Sequence, residues 1–307
     1  MAKILVSGLI NTETTVRIRK FPVEYYPIDY PFFGVNTAVA GVAFNIAKAL
    51  RTLEDDVVFA SITGQDITAE YIRKTLKEEG IPSAHVKTLL QDTPTSVVLY
   101  DNEGRRQIYC DLKNIQETDY GFSDDLFAEA DIVVACNTNF NRPLLQKAKA
   151  AGKTIATDVH VLSDIYDGYN WEFMTCADIL FLSDEHVWED YRGFLWSLAQ
   201  TYGNEIIVLG RGSKGAAIYT KADGQIRDLP AVRVGDVVNT VGAGDALFSA
   251  FIHYYGKGLA PVEALARAQI FASAKIGTTG ASRGFVSEAE VERLYQLHAP
   301  QIFGGTV

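Results

Sequence analysis

Residues 239–251 read NTVGAGDALFSAF: two glycines and an alanine lead into one aspartate, and an apolar run follows at once. Leu247, Ala250, Phe251 and Tyr254 recur at i, i+3, i+4 and i+7, the spacing of one helix face. The glycine turn therefore ends at a helix N-terminus, where free N–H groups and the aligned peptide dipoles attract an anion. Gly242 and Gly244 carry no Cβ, so the backbone can approach that anion closely. Asp245 adds a carboxylate at the same place. On one reading it is a general base, taking the proton of an attacking hydroxyl while the N–H groups hold a phosphoryl group. On the other it is an acidic first-turn residue that favours the helix dipole. The residue types leave both open.

Outward from that stretch, the chain alternates strand and helix. Residues 3–9 (KILVSGL), 57–63 (VVFASIT), 131–137 (DIVVACN), 153–159 (KTIATDV), 177–183 (ADILFLS), 205–210 and 215–220 read as strands. Helices are expected over 41–53, 66–79 (closed by Gly80), about 144–151, 184–202, 245–255, 261–276 and 287–297. Such alternation implies an α/β fold with a mostly parallel sheet covered on both faces, here one domain over 1–307. The half-polar segments near 14–35 and 95–111, the second a hairpin around NEG, do not fit that core. They are expected to form a small β-sheet lid over the carboxyl edge, where open α/β sheets bind ligands.

The bulk composition narrows the function. The 307 residues are 48% hydrophobic, enough for one large domain, and the formal net charge is -10. That balance excludes a broad nucleic-acid surface but not a local cationic pocket. The three cysteines form no CxxC pair and are expected as small core residues in a reduced, cytoplasmic compartment. The short apolar N-terminus is broken by Gly8 and reads as a strand. No stretch is long and apolar enough to span a membrane.

NTVGAGDALFSAFI closely resembles the C-terminal signature of the ribokinase-like, or PfkB carbohydrate kinase, family, usually Asp-Thr-x-Gly-Ala-Gly-Asp. Other landmarks follow in order along essentially the whole chain. GLINTET is similar to the first strand and substrate turn, and AGVAFNIAKALRTL to the N-terminal signature. VLGRGSKGAAIY is similar to the nucleotide-binding strand and glycine turn, and ALARAQIFASAKIGTTGA to the helix and loop against adenine. The resemblance implies a three-layer sandwich and ATP-dependent phosphorylation of a sugar hydroxyl. A nucleoside kinase, including the pseudouridine type, is the second reading. A non-catalytic ligand-binding regulator with a kinase fold is the third.

By that match Asp245 is the base, and Gly242, Ala243 and Gly244 supply an anion hole. Glu13, Gly41 and Asn45 bind substrate, joined by Asn137 at the end of its strand. Ser183, Gly212, Gly215 and Gln269 border ATP. Magnesium arrives with the nucleotide, held through phosphates and water, and no dedicated metal cage is readable. In many members the front of the signature helps bind a potassium-like cation, and Asn239 lacks the formal charge found there. Ala40 stands for one glycine of the N-terminal signature, and Glu13 is one methylene longer than the usual Asp; together they imply an altered substrate shape. LSDEHV aligns with a segment often reading Asn-x-x-Glu, so Ser183 and His186 replace those residues. His186 reads either as a phosphate ligand or as a helix-surface histidine.

Four further features stand beside these. Asp158 and His160, two apart on a strand, are either a metal pair lacking a third ligand or a polar strand end beside the cleft. Asn139 is either a substrate contact or a helix cap. Arg105 and Arg106 are solvated turn charges or lid arginines. Tyr25, Tyr26, Tyr30, Phe32 and Phe33 could stack on a substrate or form a homodimer through the lid.

Overall fold

Ile4, Leu5 and Val6 are all fully buried, so the first strand has apolar neighbours on both faces, as a central parallel strand must. The computed structural model describes residues 2–103, 105–186, 190–278 and 280–304. Its strands are β1 (Lys3–Ser7), β2 (Asn11–Arg17), β3 (Val35–Ala40), β4 (Asp56–Thr63), β5 (His85–Thr88), β6 (Thr95–Tyr100), β7 (Arg106–Asp111), β8 (Ile132–Ala135), β9 (Thr154–Val161), β10 (Ile179–Ser183), β11 (Ile206–Gly210), β12 (Ala216–Thr220) and β13 (Gln225–Leu229). The helices are α1 (Val42–Thr52), α2 (Ile67–Glu78), α3 (Asp125–Ala128), α4 (Arg142–Ala150), α5 (Trp171–Cys176), α6 (Tyr191–Tyr202), α7 (Ala243–Gly256), α8 (Pro261–Lys275) and α9 (Glu288–Ile302).

The main sheet runs β13-β12-β11-β10-β9-β8-β1-β4-β5. Strands β5 to β11 within it pair in parallel, and β12 and β13 add an antiparallel edge. The chain leaves β1 to one side for β4 and returns to its other side as β8. That reversal is the topological switch where open α/β sheets hold ligands, beyond the carboxyl ends of their strands. One face of the sheet packs on α1, α2, α7, α8 and α9, the other on α3 to α6. On the first face Phe181 meets Phe248 and Phe251 edge-on, at 4.9 and 5.1 Å between centroids. The expected α/β architecture is present. Among the described residues no helix is long and apolar enough to cross a membrane.

A second sheet, β3-β2-β6-β7, stands apart. Its first segment differs from the sequence expectation. The strand ends at Arg17, residues 18–34 are irregular, and the partner strand is Val35–Ala40. The β6–β7 hairpin has the expected antiparallel register, from Thr95 opposite Asp111 to Tyr100 opposite Arg106; Gly104 in its turn lies outside the described residues. All of β7 is exposed, so Cys110 is a surface residue and not the core residue expected. The five aromatics from Tyr25 to Phe33 are exposed as well.

Two other expectations shift. The helix expected over 184–202 begins only at Tyr191, because Asp190 caps it by accepting the Gly193 N–H at 2.9 Å. His186 therefore lies in an exposed turn, not on a helix surface, and Val187, Trp188 and Glu189 lie outside the described residues. The edge strands β5 and β13 and the short α5 carry no clear apolar period and were not expected.

Candidate active site

Helix α7 starts at Ala243 with Gly242 as its N-cap, at φ +78, and no side chain among the described residues caps it. The two glycines of the turn do different work. A Cβ on Gly242 would stand 2.5 Å from the Ala281 carbonyl oxygen, so only glycine fits that tight turn. A Cβ on Gly244 would meet nothing within 4 Å. Gly244 is exposed and faces open space in the first turn of the helix.

Asp245 sits one residue further, half-buried. Its Oδ2 accepts the Asn45 Nδ2–H at 2.7 Å. Asn45 comes from the first turn of α1, which packs on α7. The α1 turn is as tight as the other: Gly41 has φ +105, and a Cβ there would lie 2.5 Å from the Leu9 carbonyl oxygen. Asn45 Oδ1 is buried and has no hydrogen-bond partner among the described residues. Burial pushes the Asp245 carboxyl up from its ordinary range, against the opposing pull of His160 and of the Asn45 hydrogen bond.

His160 and Asp158 complete a cluster. The ligand-bearing atoms of Asp158, His160 and Asp245 all lie within 4.8 Å of one another. The backbone N–H of His160 donates to Asp158 Oδ1 at 2.8 Å, and the ring Nδ1 stands 3.4 Å from Asp158 Oδ2. A register shift between β9 and β10 opposite Phe181 to Ser183, with His160 at φ +61, turns the imidazole into this position. Burial alone would lower its pKa, but the Asp158 carboxylate outweighs that and raises it to about 9. The third member of the cluster lies 85 residues further along the chain (245 − 160), so spacing within ATDVHV could not reveal it.

The second sheet brings Glu13 to the same place. Burial, and then the Asp245 charge, push the Glu13 carboxyl up, while Lys275 and Arg106 pull it down. Lys275, the last residue of α8, is fully buried, and its Nζ donates to the Val241 carbonyl just ahead of Gly242. Burial lowers its pKa to about 8, with Asp245 and Glu13 holding it up. Sequence reasoning missed Lys275. The available signal was its place on the apolar stripe of α8, four residues after Phe271 and seven after Ala268. Of the paired arginines, Arg105 is a turn charge bound to Asp101 at 2.8 Å, while Arg106 stands 4.0 Å from Glu185 and its charge reaches Glu13 and Lys275.

The remaining positions spread along the carboxyl edge. Asn137, half-buried after β8, donates from Nδ2 to Asn170 Oδ1 at 3.1 Å. Asn139 caps no helix; its Oδ1 accepts the Arg142 Nε–H at 3.1 Å. Ser183 ends β10 opposite Gly210, and a Cβ on Gly210 would lie 3.8 Å from Leu247 of α7. Gly212 is exposed at φ +52. Gly215, at φ +96, has no room for a Cβ against the Leu229 carbonyl oxygen. Gln269 is buried and donates to that same oxygen at 3.2 Å, so the two meet at the end of β13.

A glycine turn at a helix N-terminus, with a carboxylate beside it at the carboxyl edge of an open α/β sheet, can hold a phosphoryl group next to a proton acceptor. The chain belongs to the pfkB family of carbohydrate kinases, whose family model matches residues 1–288. It is thus an ATP-using phosphotransferase with an alcohol acceptor. It is 24% identical to an ATP-dependent ribose-1-phosphate kinase of Halopiger xanaduensis, over 82% of this chain and 84% of that one. It is 25% identical to a 2-dehydro-3-deoxygluconokinase of Bacillus subtilis, over 79% and 82%. In structure it resembles a putative ribokinase from Agrobacterium tumefaciens, with a TM-score of 0.87, 20% identity and 97% and 98% coverage.

Proposed function

We propose that this protein moves the γ-phosphoryl group of ATP to a hydroxyl of a sugar-like acceptor, with Asp245 as the general base. The observation that carries this reading is the Asp245 carboxylate, held by Asn45 beside the uncapped start of α7. A hydroxyl placed against that carboxylate loses its proton as the phosphoryl group arrives. The N–H groups of Gly242, Ala243 and Gly244 take up the charge that develops on it. The Ala243 N–H rests on the Thr240 carbonyl at 3.1 Å and must be shared with the phosphate. Gly244 has open space in front of it.

Glu13, Gly41, Asn45 and Asn137 form the acceptor side of the cleft in this reading. The unpartnered Asn45 Oδ1 supplies a ready acceptor for a substrate hydroxyl. Ser183 and Gly212 border the nucleotide, and Gly215 with Gln269 builds the wall behind it through Leu229. The cluster of Asp158, His160 and Asp245 does not suit magnesium, because an imidazole nitrogen stands where that ion prefers an oxygen donor. Magnesium therefore enters on the phosphates of ATP.

Asp245→Asn is expected to keep ATP binding and to lose about three orders of magnitude or more in turnover. Calorimetric ATP titration and a coupled ADP-release assay over pentoses, hexoses, sugar acids, sugar phosphates and nucleosides check both. Wild-type turnover in the variant would remove the base assignment. No ADP release by the wild type with any acceptor would remove the kinase reading.

A further inference from the structure

The fold family implies a potassium-like cation at the front of the glycine turn, and the residues of this chain do not fit one. The acid expected there is Asn239, whose Oδ1 already accepts the Val241 N–H at 2.8 Å. The Thr240 carbonyl accepts the Ala243 N–H at 3.1 Å, and the Val241 carbonyl is taken by the ammonium of Lys275.

Lys275 is an unusual residue for its place. It follows Ala264, Ala268 and Phe271 along the buried stripe of α8 and is itself fully buried. An ammonium withdrawn from water is costly unless it finds compensation. Here the compensation is of three kinds. The Val241 carbonyl accepts from it. The carboxylates of Asp245 and Glu13 attract it, against Arg106. It also stands at the C-terminus of α8, the negative end of that helix dipole. The same helix end holds the loop by its backbone, since Ile276 O accepts the N–H groups of Val238 and Asn239 at 2.8 and 3.1 Å.

We propose that the Lys275 ammonium is the resident monovalent cation of this loop, a tethered substitute for a free ion. It fixes the Val241 carbonyl, and through it the turn that presents the Gly242, Ala243 and Gly244 N–H groups, and it offsets the paired charges of Asp245 and Glu13. Lys275 is thus a positioning residue, and turnover does not depend on added potassium. The effect on turnover rests on the kinase reading above, so the test includes a measurement that needs no catalysis.

Wild-type turnover in sodium, potassium, ammonium and tetramethylammonium chloride at one ionic strength is expected to agree within about twofold. Lys275→Met keeps the apolar stem and removes the charge; its kcat is expected to fall about tenfold or more with little change in the KM for ATP. Lys275→Ala also empties the space beside the Val241 carbonyl, and potassium or ammonium is expected to restore it about threefold over tetramethylammonium. A merely structural lysine would give no such selective rescue. Thermal unfolding in the same salts reads the site without turnover: potassium is expected to stabilise Lys275→Ala selectively and the wild type not at all. Potassium-specific activation or stabilisation of the wild type, or wild-type kcat in Lys275→Met, would overturn the proposal. If neither variant folds, the wild-type salt series decides alone: a flat response upholds it. Should no acceptor turn over, the kinase reading fails while the melting series still answers for the cation.

Discussion

Asp245 lies between opposing influences, and their balance sets the pH at which it can act. Burial favours its neutral form, while His160 and the Asn45 hydrogen bond favour the charged form. A base works only when unprotonated, so kcat/KM should fall as pH drops through the raised Asp245 pKa, at higher pH than an ordinary aspartate would give. His160, with a pKa of about 9, stays charged throughout that limb. His160→Asn removes a positive neighbour and leaves Asp158 uncompensated, and both changes push the Asp245 carboxyl further up. The acidic limb of the variant is therefore expected at higher pH than that of the wild type. An unmoved limb, or one moved down, would show that the imidazole charge does not reach Asp245. The place of Asp245, in the first turn of a helix after a glycine turn, was legible in the sequence because adjacent residues set it. His160 and Lys275 were not legible as its neighbours. A bulge turns one into place and a buried helix end delivers the other, and neither event leaves a local spacing to read.

The turn before α7 separates two uses of glycine that look alike in sequence. Gly242→Ala places a Cβ 2.5 Å from a backbone oxygen at φ +78, and neither the turn nor the Ala281 strand of chain can yield cheaply. It is expected to cost about 1–3 kcal/mol of stability and to take activity down with it. Gly244→Ala has room and lies in a helix, where alanine is favoured over glycine by about 1 kcal/mol. It is expected to melt no lower than the wild type and yet to lose about tenfold in kcat, because its Cβ enters the space in front of the N–H groups. Thermal melts and steady-state kinetics on the two variants check this pair of outcomes. Equal destabilisation in both, or full turnover in Gly244→Ala, would contradict the division. Elements with two buried faces were read correctly from sequence for the same reason that α7 was: period and apolar content agree. The edge strands β5 and β13 escaped notice because an edge strand has no second covered face to demand an apolar run. The start of α6 was misplaced because its cap, Asp190, sits inside a stretch of acidic and aromatic residues that continues the helical pattern backward.

At the scale of the whole molecule the two sheets differ in what holds them. The main sheet is sandwiched between two apolar layers, and β1, β8 and β10 contribute residues to both. The second sheet has no such cover: β7 is exposed throughout, the first three residues of β3 are exposed, and β2 is mostly half-buried. Hydrogen bonds between strands hold it without much buried apolar area, and a segment of that kind opens at a fraction of the global unfolding free energy. This same sheet carries Glu13 and Arg106 to the cluster around Asp245, so under the proposed function a ligand bound there would join the less stable unit to the more stable one. Amides of β2, β3, β6 and β7 are therefore expected to exchange with solvent faster than those of β1, β8 and β10 in the free protein. Adding an acceptor sugar with a non-hydrolysable ATP analogue should slow the first group severalfold or more, while the main sheet, already protected to the global limit, changes little. Hydrogen–deuterium exchange followed by mass spectrometry resolves these segments. Protection of β6 and β7 equal to that of β1 in the free protein would show that the small sheet is no separate unit of stability. If ligand then left it unchanged, Glu13 and Arg106 would be bystanders to binding.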